Sequence, residues 1–120
     1  AAHRDMKTDP APVISALLPD RDYRVHLLVA GQRIDLGGRV YEVIDIPGHT
    51  PGSVGLLNSA EKHLFSGDAI VATPAWLYLK HSLPLRTYYE ALVKMQGREA
   101  EFDQIFPGHN PSPLGRDILD

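Results

Sequence analysis

The amino-acid sequence predicts a domain of the α/β (α+β) class. Three observations carry that expectation. Strand-like runs bounded by Gly, Pro and Asn follow one another from Arg24 to Ser66. A single amphipathic helix comes after them, opened by Pro84 and stopped by Gly97. The strongest strand-like run, Val40 to Ile46, is apolar on both faces, as in a sheet that is covered on both sides. Val40, Ile44 and Ile46 fall on one of those faces, Tyr41 and Val43 on the other.

The elements follow in order. Val13 to Leu18 predicts one or two helical turns closed by Pro19. Arg24 to Ala30 and Arg33 to Leu36 predict two strands joined at Gly31-Gln32, the second ended by Gly37-Gly38. Val40 to Ile46, Ser53 to Leu57 and His63 to Ser66 are the next three strands, and Ile70 to Ala72 predicts a short further one. In the helix after Pro84, Leu85, Tyr88, Tyr89, Leu92, Val93 and Met95 mark the apolar face. Asp103 to Phe106 is the last strand, and Ser112-Pro113 predicts the start of a helix over Leu114 to Leu119.

Length and composition bound the function classes. A chain of 120 residues with 43% apolar residues is one domain with a moderate core. A net charge of −3 leaves no basic footprint for nucleic acid. No apolar run is long enough to span a bilayer, and Ala1 to Asp5 lack the apolar core of a signal peptide. The absence of cysteine excludes disulfides and thiolate metal sites, and the default location is cytoplasmic.

Three segments end alike: Ile46-Pro47-Gly48-His49, Phe65-Ser66-Gly67-Asp68 and Phe106-Pro107-Gly108-His109. Each runs from an apolar strand residue through a glycine to a side chain that can ligate a metal. Each is thus a rigid stem with one polar group at a sheet edge. Together they could aim two imidazoles and a carboxylate at a common point, as a divalent cation requires. Taken singly, His49 and His109 are ordinary loop histidines and Asp68 an ordinary turn residue. Their repeated context raises the ligand reading above those.

Pro47-Gly48-His49-Thr50-Pro51-Gly52-Ser53, Phe65-Ser66-Gly67-Asp68 and Phe106-Pro107-Gly108-His109, in that order and spacing, resemble the later motifs of the metallo-β-lactamase superfamily. Asp35 to Ile46 resembles the hairpin that precedes them. Residues 19–115 carry the resemblance, within a single partial domain of residues 1–120. It implies the C-terminal half of an αββα sandwich, with a mixed or antiparallel sheet and helices on one face. It implies His49, Asp68 and His109 as metal ligands. His49 would complete the three-histidine set of a first metal, His109 would ligate a second, and Asp68 would bridge both in a catalytic role. The cofactor implied is zinc, two per intact site, with iron or manganese also compatible. Between the cations the family holds a hydroxide that attacks the substrate.

One departure from the pattern is large. The family's principal motif, His-x-His-x-Asp-His, is absent from these 120 residues. Ala2 to Asp5 resembles the strand end that follows it. The sequence therefore reads as the second half of such a protein, shortened by a protease, by cloning or by the gene itself. Three ligands of a seven-ligand site remain, so weak or absent metal binding and no useful hydrolysis are expected of the piece alone. Half a sandwich also leaves a sheet face without its partner sheet. Val40, Ile44, Ile46, Val54, Leu56 and Leu64 are the expected uncovered residues, and a homo-oligomer, such as a two-fold dimer through that face, follows.

For the intact parent the sequence points to hydrolysis of an ester, thioester, lactone or similar small molecule. Asp68 and His109 are only 41 positions apart, which leaves no room for the large inserted domain of some nuclease members. No nucleic-acid or membrane partner is expected. Thr73 to His81 would border the site, making Trp76, Tyr78 and His81 candidates for the substrate pocket. The competing reading is a non-catalytic half-domain that oligomerises or binds a partner, with His49, Asp68 and His109 kept as turn residues.

Overall fold

The computed structural model describes residues 26–111 and 113–120. The expected turns over Val13 to Leu18 and the strand end at Ala2 to Asp5 lie outside them. Six strands form one sheet in sequence order: β1 (Arg33–Asp35), β2 (Val40–Asp45), β3 (Val54–Asn58), β4 (His63–Gly67), β5 (Gln104–Pro107) and β6 (Leu114–Gly115). All neighbours are antiparallel except β4 and β5, which run parallel. A parallel pair needs a crossover, and helix α1 (Leu85–Gln96) lies within it. This is the mixed α/β arrangement the sequence predicts.

Alternation decides which residues meet α1. Register places Glu42, Leu57, Leu64, Ile105 and Leu114 in one row across β2 to β6. This row shares its face with Ile44. Leu57, Leu64 and Ile105 join Ile44, Ile46, Ala69, Ile70, Phe102 and the helix residues Ala91 and Met95 in one buried cluster. At about 25 cal/mol per Å² of apolar surface, this cluster is the main stabilising contribution of the fold. The next row, Val43, Leu56, Phe65 and Phe106, points the other way. There Phe65 stacks on Phe106 at 4.8 Å, while Tyr41 meets Phe65 and His63 meets Phe106 edge-on.

The expected uncovered face is therefore corrected. Ile44, Ile46 and Leu64 are the core under α1, and the second face belongs to Tyr41, Val43, Leu56, Phe65 and Phe106. The strand pattern fixes two faces but not which one a helix will take, nor the register that aligns β2 with β4. The helix face also divides. Ala91 and Met95 are buried and Tyr88 and Leu92 half-buried, whereas Leu85, Tyr89 and Val93 are exposed.

Three further expectations differ from the structure. Within Arg24 to Ala30, residues 26–30 form no strand, and Ile70 to Ala72 form none either. Leu114 to Leu119 is not one helix but the two-residue strand β6 followed by a 3₁₀ turn at Arg116–Leu119. Leu114 is taken by pairing with Ile105, which holds the start of this run in the sheet. The β1–β2 hairpin closes as its sequence implies, with the Asp35 carboxylate accepting from the amides of Gly37 and Gly38. Among the described residues no helix is long and apolar enough to cross a membrane.

Candidate metal centre

Strand β2 ends in a loop closed by its own side chains. Ile46 N–H donates to the Ser53 carbonyl at 3.0 Å, and Thr50 N–H donates to Ser53 Oγ at 3.2 Å. The two hydroxyls of Thr50 and Ser53 meet at 2.8 Å. The Thr-Pro-Gly-Ser part of the motif thus locks the loop that presents His49.

Strand β4 ends in a tighter turn. The buried Ser66 hydroxyl donates to the Ile70 carbonyl at 2.8 Å, and Gly67 takes φ 55°, a left-handed conformation that glycine adopts without strain. The chain reverses there and Asp68 projects from the sheet end. Because β5 runs parallel to β4, their ends lie side by side. Gly108 N–H donates to the Gly67 carbonyl at 2.9 Å, which ties the His109 stem to the Asp68 stem. A Cβ on Gly108 would stand 2.6 Å from Asp68 Oδ1. Glycine before His109 is what allows that carboxylate to approach.

The three side chains meet at one rim. Asp68 lies between the imidazoles: His49 Nε2 is 3.6 Å from Asp68 Oδ2, and His109 Nε2 is 3.1 Å from Oδ1 and 3.3 Å from Oδ2. His49 is mostly buried and His109 mostly exposed. Among the described residues no three His, Asp or Glu side chains close around a single cation position.

The chemistry of the donors fits cations shared with further ligands. His49 Nδ1 lies 2.7 Å from the Trp76 carbonyl. A carbonyl oxygen only accepts, so Nδ1 carries the proton and donates. In the neutral ring this leaves the Nε2 lone pair facing the carboxylate oxygens of Asp68. Two acceptors facing one another repel unless a positive charge lies between them, which is the role of a divalent ion in a His and Asp site.

A cavity of about 470 Å³ opens over this rim. His49, Asp68 and His109 line it together with Val71, Thr73, Pro74, Ala75, Trp76 and Leu79 of the following segment. Trp76 thus lines the cavity. Tyr78 packs beside it, with ring centroids 6.2 Å apart, but lies outside the lining, as does His81. The 71–83 segment turns at Leu79–Ser82, where Ser82 N–H donates to the Leu79 carbonyl.

Three supporting residues escaped sequence reasoning. Tyr88 reads as plain helix packing, yet its hydroxyl donates to the Ala69 carbonyl at 2.7 Å, beside Asp68. Burial raises its phenol pKa above the ordinary value. Ser82 Oγ donates to the His49 carbonyl at 3.0 Å. Asn110 Oδ1 accepts from the Ala72 amide at 2.9 Å, joining the His109 loop to the segment after Asp68. The only signal for Ser82 was a small polar residue just before a helix start; for the other two there was none.

A family model described as the metallo-beta-lactamase superfamily matches residues 2–109. Hydroxyacylglutathione hydrolase GloC of Haemophilus influenzae is 37% identical over 59 residues, which are 49% of this chain and 26% of that protein. The beta-lactamase-like protein 2 homolog of Caenorhabditis elegans is 31% identical over 88 residues, 73% of this chain and 28% of that protein. The chain thus spans little more than a quarter of either curated relative. Among solved structures, TTHA1623 in a di-iron-bound form superposes with a TM-score of 0.67 at 24% identity, over 84% of this chain and 48% of that one. The metallo-beta-lactamase FIM-1 from Pseudomonas aeruginosa, in its mono-zinc form, gives 0.58 at 24% identity, over 78% and 42%. Likeness at that identity speaks to the fold alone.

Proposed function

The chain belongs to the metallo-beta-lactamase superfamily, and from that membership and the rim geometry we propose that it supplies the second half of a metal-dependent hydrolase site. The observation that carries this reading is the Asp68 carboxylate held between His49 and His109. His49, Asp68 and His109 would hold the cations, zinc first and iron or manganese as alternatives; the mono-zinc and di-iron states of structural neighbours support that range. Bound there, divalent cations would bring a water to near-neutral pKa and polarise the scissile carbonyl. The protein's own part is to fix three donors at one rim, to exclude water with the apolar cavity wall, and to orient the substrate against Trp76.

The substrate class proposed is an ester, thioester, lactone or similar small molecule. The apolar cavity wall and the net charge of −3 support a small molecule over nucleic acid. The name of the GloC relative supports a thioester. A cytoplasmic location is part of the same proposal.

The His-x-His-x-Asp-His segment is missing from these 120 residues, so the isolated chain is proposed to bind zinc weakly and to be inactive. The aromatic second face of the sheet supports a further proposal, that two copies pair through Tyr41, Leu56, Phe65 and Phe106. Sedimentation at high concentration should show the dimer, and a clean monomer rejects that pairing.

The test of the hydrolase reading has two arms. Zinc is titrated into the chain by calorimetry, with weak or no heat expected. The chain is then joined to a first half bearing the missing motif and assayed on ester, thioester and lactone panels. Activity that disappears in Asp68→Asn and His109→Ala supports the reading. An inactive but metal-loaded and folded fusion rejects it and leaves the non-catalytic module.

A further inference from the structure

The segment from Val71 to Leu83 is bound to the Gly48–His49 stem at three points. His49 Nδ1 donates to the Trp76 carbonyl at 2.7 Å, Ser82 Oγ donates to the His49 carbonyl at 3.0 Å, and Leu83 N–H donates to the Gly48 carbonyl at 2.9 Å. Ser82 is the hub of this contact. Its hydroxyl also accepts from the Leu79 amide at 3.2 Å, and its own amide donates to the Leu79 carbonyl at 2.9 Å. One side chain therefore closes the turn that follows Trp76 and pins that turn to the backbone of a metal-capable histidine.

We propose that Ser82 is a positioning residue: by seating the 71–83 segment on His49 it keeps the Trp76 carbonyl on Nδ1 and so holds the ring in the tautomer whose Nε2 lone pair faces Asp68. The argument deepens the hydrolase reading, since Nε2 is the atom a cation would need, but the tautomer itself exists without any metal. A neutral imidazole in water populates both tautomers. A carbonyl fixed on Nδ1 removes that choice, because only Nδ1–H can donate to it. In metal centres the hydrogen bond to the non-ligating nitrogen sets the orientation and basicity of the ligating one. Here that hydrogen bond comes from the backbone of Trp76, the residue that also lines the cavity. The cavity wall and the histidine are thereby one mechanical unit, and a shift of the segment reaches His49 directly.

The experiment uses the metal-free, ¹⁵N-labelled chain and two-bond ¹⁵N–¹H correlation spectra of its imidazoles, recorded at alkaline pH where histidines are neutral. The exposed His26 and His81 serve as internal references. His49 is expected almost wholly as the Nδ1–H tautomer. In Ser82→Ala it should move to the mixture seen for the references, and Ser82→Thr, which keeps the hydroxyl, should restore the wild-type pattern. If Ser82→Ala loses its fold, Ser82→Cys is read in the same way, since a thiol is the weaker hydrogen-bonding partner. A wild-type His49 in the Nε2–H form overturns the proposal, and so does a folded Ser82→Ala with an unchanged tautomer. An inactive fusion with an intact Nδ1–H tautomer would reject only the hydrolase reading.

Discussion

Gly48 and Tyr88 are packed so closely that no other residue fits at position 48. A Cβ there would stand 2.5 Å from Cδ2 and 2.6 Å from Cβ of Tyr88. The hydroxyl of the same tyrosine reaches the Ala69 carbonyl. One helix side chain thus touches the stems of both His49 and Asp68, although strands β3 and β4 separate them in sequence.

Gly48→Ala is expected to destabilise the fold by about 2–4 kcal/mol. Overpacking against the Tyr88 ring contributes on the order of 1–3 kcal/mol, and φ of 154° adds strain for any residue with a side chain. Urea unfolding measures it; a midpoint unchanged from wild type would show that the ring moves aside at no cost.

Tyr88→Phe keeps the ring and removes the hydrogen bond to Ala69, for a loss of about 1 kcal/mol. A pH effect accompanies it. Burial raises the folded pKa of the phenol, so its contribution is complete below the unfolded tyrosine pKa and is lost as pH rises through the raised value. The alkaline fall in stability should be shallower in Tyr88→Phe, as read from melts across that range.

Gly108→Ala tests the site with little effect on the fold. Its methyl would meet Asp68 Oδ1 at 2.6 Å, so the carboxylate must turn from His109. In the fusion bearing both halves, zinc affinity should fall by about 10–100-fold. Chain stability should change by under ~1 kcal/mol. Unaltered affinity in calorimetry would mean that Asp68 holds its place by other contacts.

Arg98 ties the end of the helix to the sheet. Its guanidinium donates to both Glu42 oxygens at 3.0 and 2.9 Å and to Glu101 Oε1 at 2.9 Å, with a further bond from Nε to Glu101 Oε2. Hydrogen bonding to Arg98 lowers the pKa of both carboxyls below 4.5, and the same bonds raise that of Arg98. Stabilisation from the cluster is therefore present above the unfolded carboxylate pKa and lost as pH falls through the lowered values. Arg98→Met should cost about 1–2 kcal/mol at neutral pH, a modest figure because both carboxylates are partly exposed. It should cost progressively less towards pH 3. An equal loss at both pH values would point to packing of the arginine stem instead.

Much of the framework was legible in local patterns. β1 to β5 and the helix lie within a residue or so of their expected bounds, because Gly or Pro punctuates most of the element ends and Asn58 opens the turn after β3. The Ile70 to Ala72 run misled because only Ile70 enters the core, its carbonyl taken by Ser66, while Val71 is half-buried and Ala72 exposed. The pocket expectation for Trp76, Tyr78 and His81 rested on adjacency in a loop, which does not set the direction of side chains; of the three, Trp76 lines the cavity.

By itself the sequence determined the three stems, since an apolar strand end, a glycine and a ligand residue are local properties written in four consecutive letters. The tertiary structure alone decided that the stems share one rim, because that depends on β4 and β5 running parallel with their ends bonded through Gly67 and Gly108. It also decided which sheet face is core, and that Trp76, Ser82 and Tyr88 support His49 and Asp68. Those are contacts between residues 19 to 33 positions apart, and no short-range pattern encodes a hydrogen bond whose two ends meet only when the chain has folded.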